Sequence, residues 1–147
     1  MKAADLEHLI GSMIGMSEWW EITQERVNAF ADATDDHQWI HVDEEKAKAG
    51  PFGGTIAHGF LTLSLTVAMT SEIEMDVGDP AMAINYGLEK VRYPAPVPVG
   101  SRIRAHVELA SVVDVEGGLQ VNRKVSIEVE GTEKPAMVAE TVSRYYY

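Results

Sequence analysis

The sequence predicts an α+β fold in which an antiparallel β-sheet wraps around one central apolar helix. Three observations predict it. The run Phe60–Thr70 is apolar nearly all round, its polar members being only Thr and Ser, which marks a buried helix over Gly59–Ile73. Four long β-branched-rich segments follow, Ala81–Val91, Arg102–Val115, Leu119–Glu130 and Ala136–Tyr145, separated by Gly or Pro. Within the middle two, apolar residues alternate with polar ones, and Glu116-Gly117-Gly118-Leu119 supplies a short hairpin turn that makes them antiparallel neighbours.

The elements take their places in order. Leu6, Leu9, Ile10, Met13 and Ile14 recur at helical spacing, so residues 4–14 predict an amphipathic helix ending near Gly11 or Gly15. Ser17–Ile22, rich in aromatic and β-branched residues, reads as a first strand. Thr23 stands where an N-cap belongs, and Val27, Phe30 and Ala31 mark one face of a helix through about Ala33. Asp43–Gly50 reads as a short helix whose Lys46 and Lys48 lie on a solvated face. Pro94, Pro96 and Pro98 bar a regular central strand and predict an edge or a connection.

Residues 1–147 read as a single domain, with 46% hydrophobic and 24% charged residues, which is ordinary for a globular chain. A net charge of −11 argues against nucleic-acid and anionic-membrane surfaces. With no cysteine, disulfides, thiolate metal sites and a cysteine nucleophile are excluded. The N-terminus lacks a secretory apolar core, and no apolar stretch reaches the ~20 residues that span a bilayer, so a cytoplasmic location is expected.

Residues 30–65 concentrate the chemistry, with three histidines and several carboxylates between two helical segments. Asp36 and His41 lie five residues apart in a span expected to be extended or looped. They are either an acid/base couple, imidazole being poised near neutral pH, or two groups satisfying loop hydrogen bonds. Gly59 opens the apolar helix. Its side-chain-free N–H either presents an oxyanion donor or merely allows a tight entry into the helix. His37, His41, Asp43 and His58 could also be read as metal ligands, but no ligand pair sits one helical turn apart on a predicted helix, and no metal is expected. Ser64 lacks a nucleophile elbow and reads as a helical serine bonding its own backbone.

Asp36-x-x-x-Ile40-His41-x-Asp43, followed by Pro51-Phe-Gly-Gly-Thr-Ile-Ala-His58-Gly59-Phe60, resembles the hydratase motif of MaoC-like dehydratases and (R)-specific enoyl-CoA hydratases. The wording Asp-His-Gln-Trp-Ile-His-Val-Asp is similar to their nodulation-protein-N-like branch. The resemblance covers residues 22–65 and, more weakly, Val91–Gly100. Gln38-Trp39 stand where the more usual motif has Asn-Pro. The resemblance implies a hotdog fold, a homodimer, and reversible hydration of 2-enoyl thioesters to (R)-3-hydroxyacyl thioesters. Asp36 and His41 would be catalytic, Gly59 would supply the oxyanion N–H, and Gln38, His58 and Phe60 would contact substrate or help fix His41. Coenzyme A or acyl carrier protein would be part of the substrate, with no separate cofactor. A thioesterase and a non-catalytic acyl-thioester-binding partner subunit are the alternatives.

Overall fold

The computed structural model describes all residues, Met1–Tyr147. Gly117, at φ 75°, makes the turn between two long alternating runs, and the hairpin it closes seeds the sheet. These runs are β4 (Arg102–Val115) and β5 (Gly118–Val129), paired antiparallel from Ile103–Val129 to Val115–Gly118. β6 (Met137–Tyr146) lies along β5, and β3 (Met82–Arg92) pairs with β6. On the other side β4 carries two short strands, β1 (Met13–Met16) and β2 (Trp20–Glu21). The sheet order is β1-β4-β5-β6-β3 with β2 also on β4, so β3 has a free edge.

The helix α5 (Gly59–Ser71) lies against this sheet. Leu61, Leu65 and Met69 meet Ile103, Ala105, Val107, Val125, Ile127 and Met137 in the main apolar core. Spacing of three and four along α5 matches spacing of two along each strand, which is why both patterns were readable. A smaller cluster joins Leu6 to Leu109, Leu119 and Val121 at the far end of the sheet. This is the sheet-around-helix hotdog arrangement. One expectation needs correction: α5 is not buried all round. Phe60 is 71% and Val67 53% exposed, because a single sheet can cover only one side of a helix.

The helix expected over 4–14 is also corrected. It is only α1 (Ala3–Leu6) followed by a 3-10 turn at Glu7–Leu9. Gly11, at φ 80°, then reverses the chain, and Met13–Met16 pairs with β4. Satisfying main-chain groups along β4 outweighs the helical spacing of Met13 and Ile14. Only Trp20–Glu21 of the expected strand Ser17–Ile22 is regular. Ser17 exchanges bonds with Ala105 through both its N–H and its side-chain oxygen, each at 2.9 Å, so its side chain replaces part of the ladder.

The proline-rich connection performs a positioning task. Ala57 N–H donates to the Val97 carbonyl and Val99 N–H to the Thr55 carbonyl, both at 2.9 Å, which anchors the approach to α5 on the sheet. No helix is long and apolar enough to cross a membrane.

Met69 is fully buried at the helix–sheet contact. Met69→Ala is expected to lower unfolding free energy by about 2–5 kcal/mol, measured by urea titration at fixed protein concentration.

Candidate active site

Helix α2 (Gln24–Thr34) begins at Thr23, whose side-chain oxygen accepts the Arg26 N–H at 3.1 Å, and ends at Asp35 in the left-handed region, φ 57°. Aspartate is among the few non-glycine residues that visit this region readily. The reversal delivers Asp36 to the loop 36–38 and then to a single helical turn, α3 (Trp39–Val42); the span expected to be extended or looped is a loop as far as Gln38 and helical at His41. Trp39 takes the first helical position, where the family's more usual proline would also fit. Its ring packs on Gly50 and lies 4.9 Å below the Lys46 ammonium.

Distant groups hold this turn. Gln24 donates its side-chain N–H to the His41 carbonyl at 2.7 Å and accepts the Thr55 hydroxyl at 2.6 Å. Ile56 N–H donates to the Ile40 carbonyl at 3.0 Å. Gln38, expected to fix His41 or touch substrate, contributes main chain: its carbonyl accepts the His41 N–H, while its side chain is exposed.

The His41 ring is buried, and its Nδ1 lies 2.7 Å from the Ile56 carbonyl oxygen. A carbonyl can only accept, so the proton of the neutral ring sits on Nδ1 and Nε2 keeps a free lone pair. His58, the N-cap of α5, is 2% exposed and donates from Nε2 to the Asp36 carbonyl at 2.9 Å. Its Nδ1 is buried without a partner. The two imidazoles stack with centroids 3.8 Å apart at 23°, and Phe30 closes the far side of His58 at 4.9 Å. Asp36 stays exposed. One carboxylate oxygen and one nitrogen from each of His41 and His58 lie within 4.8 Å of one another.

Burial pushes the His41 pKa below 6.5. The hydrogen bond to Ile56 opposes that shift, the nearby His58 adds to it, and Asp36 works against it. The stacked rings lie in nearly parallel planes, so their in-plane lone pairs run in separate layers, a poor geometry for converging on one metal ion. His37 and Asp43 are turned to other tasks: His37 bonds Asp32 at 2.8 Å, and Asp43 accepts the Lys46 N–H at 3.0 Å as the cap of α4 (Glu44–Lys48).

Gly59, next in chain to His58, starts α5, and the first N–H groups of a helix have no partner within it. A Cβ here would meet the Tyr93 ring at 3.1–3.2 Å. A cavity of about 350 Å³ opens beside it, walled by Phe52, Ile56, Thr62 and Tyr93. Phe60, also expected at the substrate, projects outward and does not line this cavity. The sequence reading missed Gln24, Phe30, the Ile56 carbonyl and Tyr93. Ile56 lies inside the Pro51–Phe60 motif and Tyr93 inside the Val91–Gly100 stretch, but neither pattern reports the contact with His41 or Gly59.

His41 is expected to titrate below the ordinary imidazole range in an NMR pH series, because burial disfavours its charged form. Asp36 pulls this pKa upward, so Asp36→Asn is expected to move it lower still.

The MaoC like domain model matches residues 5–131. The chain is 56% identical over 143 residues to 3-hydroxyacyl-thioester dehydratase Z of Mycobacterium tuberculosis, covering 97% of this chain and 94% of that one. It is 41% identical to nodulation protein N of Rhizobium leguminosarum bv. viciae, covering 97% and 90%. The crystal structure of a monoamine oxidase regulatory protein from Archaeoglobus fulgius superposes with TM-score 0.82 at 27% identity, covering 99% and 94%. A family match over most of the chain, relatives spanning nearly its full length and a shared architecture agree: the chain belongs to the MaoC-like domain family.

Proposed function

We propose that this protein is a hydro-lyase that interconverts 2-enoyl thioesters and (R)-3-hydroxyacyl thioesters. The observation that carries the reading is that a carboxylate oxygen of the exposed Asp36 and a ring nitrogen of His41 lie within 4.8 Å of each other, together with His58 at the head of α5. The similarity to a mycobacterial 3-hydroxyacyl-thioester dehydratase supports it.

In hydration, Asp36 and His41 hold one water. Its oxygen adds to the β-carbon, its proton passes to the pair, and a proton from the pair reaches the α-carbon. Negative charge gathers on the thioester oxygen as the conjugated system becomes enolate-like, and the Gly59 N–H receives it. Dehydration runs the same steps backward. A redox-neutral addition of water calls for proton transfer and charge stabilisation, and in this reading Asp36, His41 and the Gly59 N–H supply both without a metal or redox cofactor. Coenzyme A or acyl carrier protein enters as the carrier half of the substrate. Gln24 and the Ile56 carbonyl position His41, and His58 positions both members of the pair through its stack and its bond to Asp36.

The active unit is a homodimer. β3 presents a free edge bearing Met82, Tyr86 and Leu88, each roughly half exposed, next to the uncovered face of α5 with Phe60 and Val67. An open strand edge beside an apolar helix face is satisfied by a second copy.

Asp36→Asn and His41→Gln are each expected to leave a folded protein whose hydration of crotonyl-CoA falls about 10²–10⁴-fold, the weight of a positioned acid/base group. Near-wild-type turnover by both variants would refute the assignment. In the same assay, release of free thiol in step with the fall in enoyl-thioester absorbance would point to a thioesterase instead. Leu88→Glu on the β3 edge is expected to shift the protein to monomers in sedimentation velocity.

A further inference from the structure

The interior face of the sheet is apolar along most of β5 and β6, and then changes character. On β5, Val121 belongs to the smaller apolar cluster and Val125 to the main core, yet Arg123 lies between them on the same face. Its cross-strand partner on β6 is Thr141, the next inward position is Ser143, and Asn85 of β3 pairs with Ser143. These polar residues and the last two turns of α5 enclose a cavity of about 280 Å³.

Arg123 is half-buried and has no carboxylate within ion-pair distance, in a chain where acidic residues outnumber basic ones by 23 to 12. Its side-chain partner is the Tyr145 hydroxyl, which accepts a guanidinium N–H at 2.7 Å and so keeps its own proton available. The hydroxyls on the helix side are already committed. Thr70 and Ser71 donate to the Val67 and Ala68 carbonyls. Free donors therefore come from the sheet, and a guanidinium withdrawn from water without an anion is unfavourable.

A second hollow, at the margin of the face proposed above to meet a second copy, adjoins this cavity along α5. It shares Thr66, Val67, Asn85 and Thr141 with the cavity, and its other walls include Leu63, Leu88 and Val142. Along α5 the donor cluster lies about 10–18 Å from Gly59, at 1.5 Å per residue, with Leu63 and Val67 of the hollow on the helix between them. We propose that the cavity around Arg123 binds a carboxylate at the distal end of the acyl chain, so that the favoured substrates are ω-carboxyacyl thioesters. The inference rests on the hydro-lyase reading for placing the thioester at Gly59.

The test compares trans-2-decenoyl-CoA with its ω-carboxyl counterpart, trans-2-decenedioyl-CoA, on wild type, Arg123→Met and Arg123→Lys. Wild type is expected to favour the ω-carboxyl substrate in kcat/KM by about 10- to 100-fold, the weight of a charge-assisted hydrogen bond. Arg123→Met is expected to abolish that preference and Arg123→Lys to retain part of it, which keeps the test open should the Met variant fail to fold. Calorimetric binding of saturated decanoyl-CoA and decanedioyl-CoA reads the same contact without turnover. A binding preference lost in Arg123→Met, with neither enoyl substrate hydrated, refutes the reaction and leaves the carboxylate site standing. Equal binding of the two ligands by wild type overturns the inference. So does equal weakening of both by Arg123→Met, which would place Arg123 on the phosphates of coenzyme A.

Discussion

A histidine can offer a basic nitrogen toward substrate only if its other nitrogen holds the proton, and here the Ile56 carbonyl imposes that arrangement on His41. Much of the structure serves to keep this carbonyl in place. Ile56 forms an isolated bridge with Pro98, and the flanking Thr55 and Ala57 bond to Val99 and Val97. The connection that contains Val97 to Val99 continues into Gly100, whose N–H donates to the Ile22 carbonyl at 2.7 Å. The tautomer of one ring thus depends on a path of main-chain bonds running back into the sheet.

The same region separates two kinds of acid/base group by solvation. Asp36 stands at the mouth of the site, held by its own carbonyl through His58, whereas both imidazoles lie beneath it in a stack closed by Phe30. Burial disfavours the charged imidazolium and lowers the His41 pKa, whereas the Asp36 carboxylate stays exposed to solvent. His58 links this pair mechanically to α5, because the residue that stacks on His41 is also the residue that precedes Gly59. A shift of the helix head would therefore move the base and the amide together.

The sheet itself is used unevenly. Against Leu61, Leu65 and Met69 its inner face is apolar and closely packed, which sets stability; beside Thr66, Thr70 and Ser71 it turns polar at Arg123, Thr141 and Ser143. On the opposite face, Arg104, His106 and Glu128 form an ion-paired ladder between β4 and β5, where charge remains in contact with water. The two faces follow the same period of two, so a charged residue on the inward phase marks a departure from core packing.

The sequence by itself determined what a single local pattern can report. The four long strands, the hairpin at Gly117, the Thr23 cap and the position of α5 were legible because each follows from neighbours a few residues away. The family motif also singled out Asp36, His41 and Gly59. The tertiary structure decided the rest. Met13 and Ile14 suit a helix or a strand, and the outcome depended on main chain in β4; the turn at Trp39–Val42 depended on Gln24 and Gly50. The orientation of the His41 ring, its stack on His58 and the inward placement of Arg123 likewise required the register of strands and loops remote in sequence. Periodicity states which face a residue occupies, but hydrogen-bond partners and burial are properties of the assembled chain, and these set which nitrogen is basic and which cavity is charged.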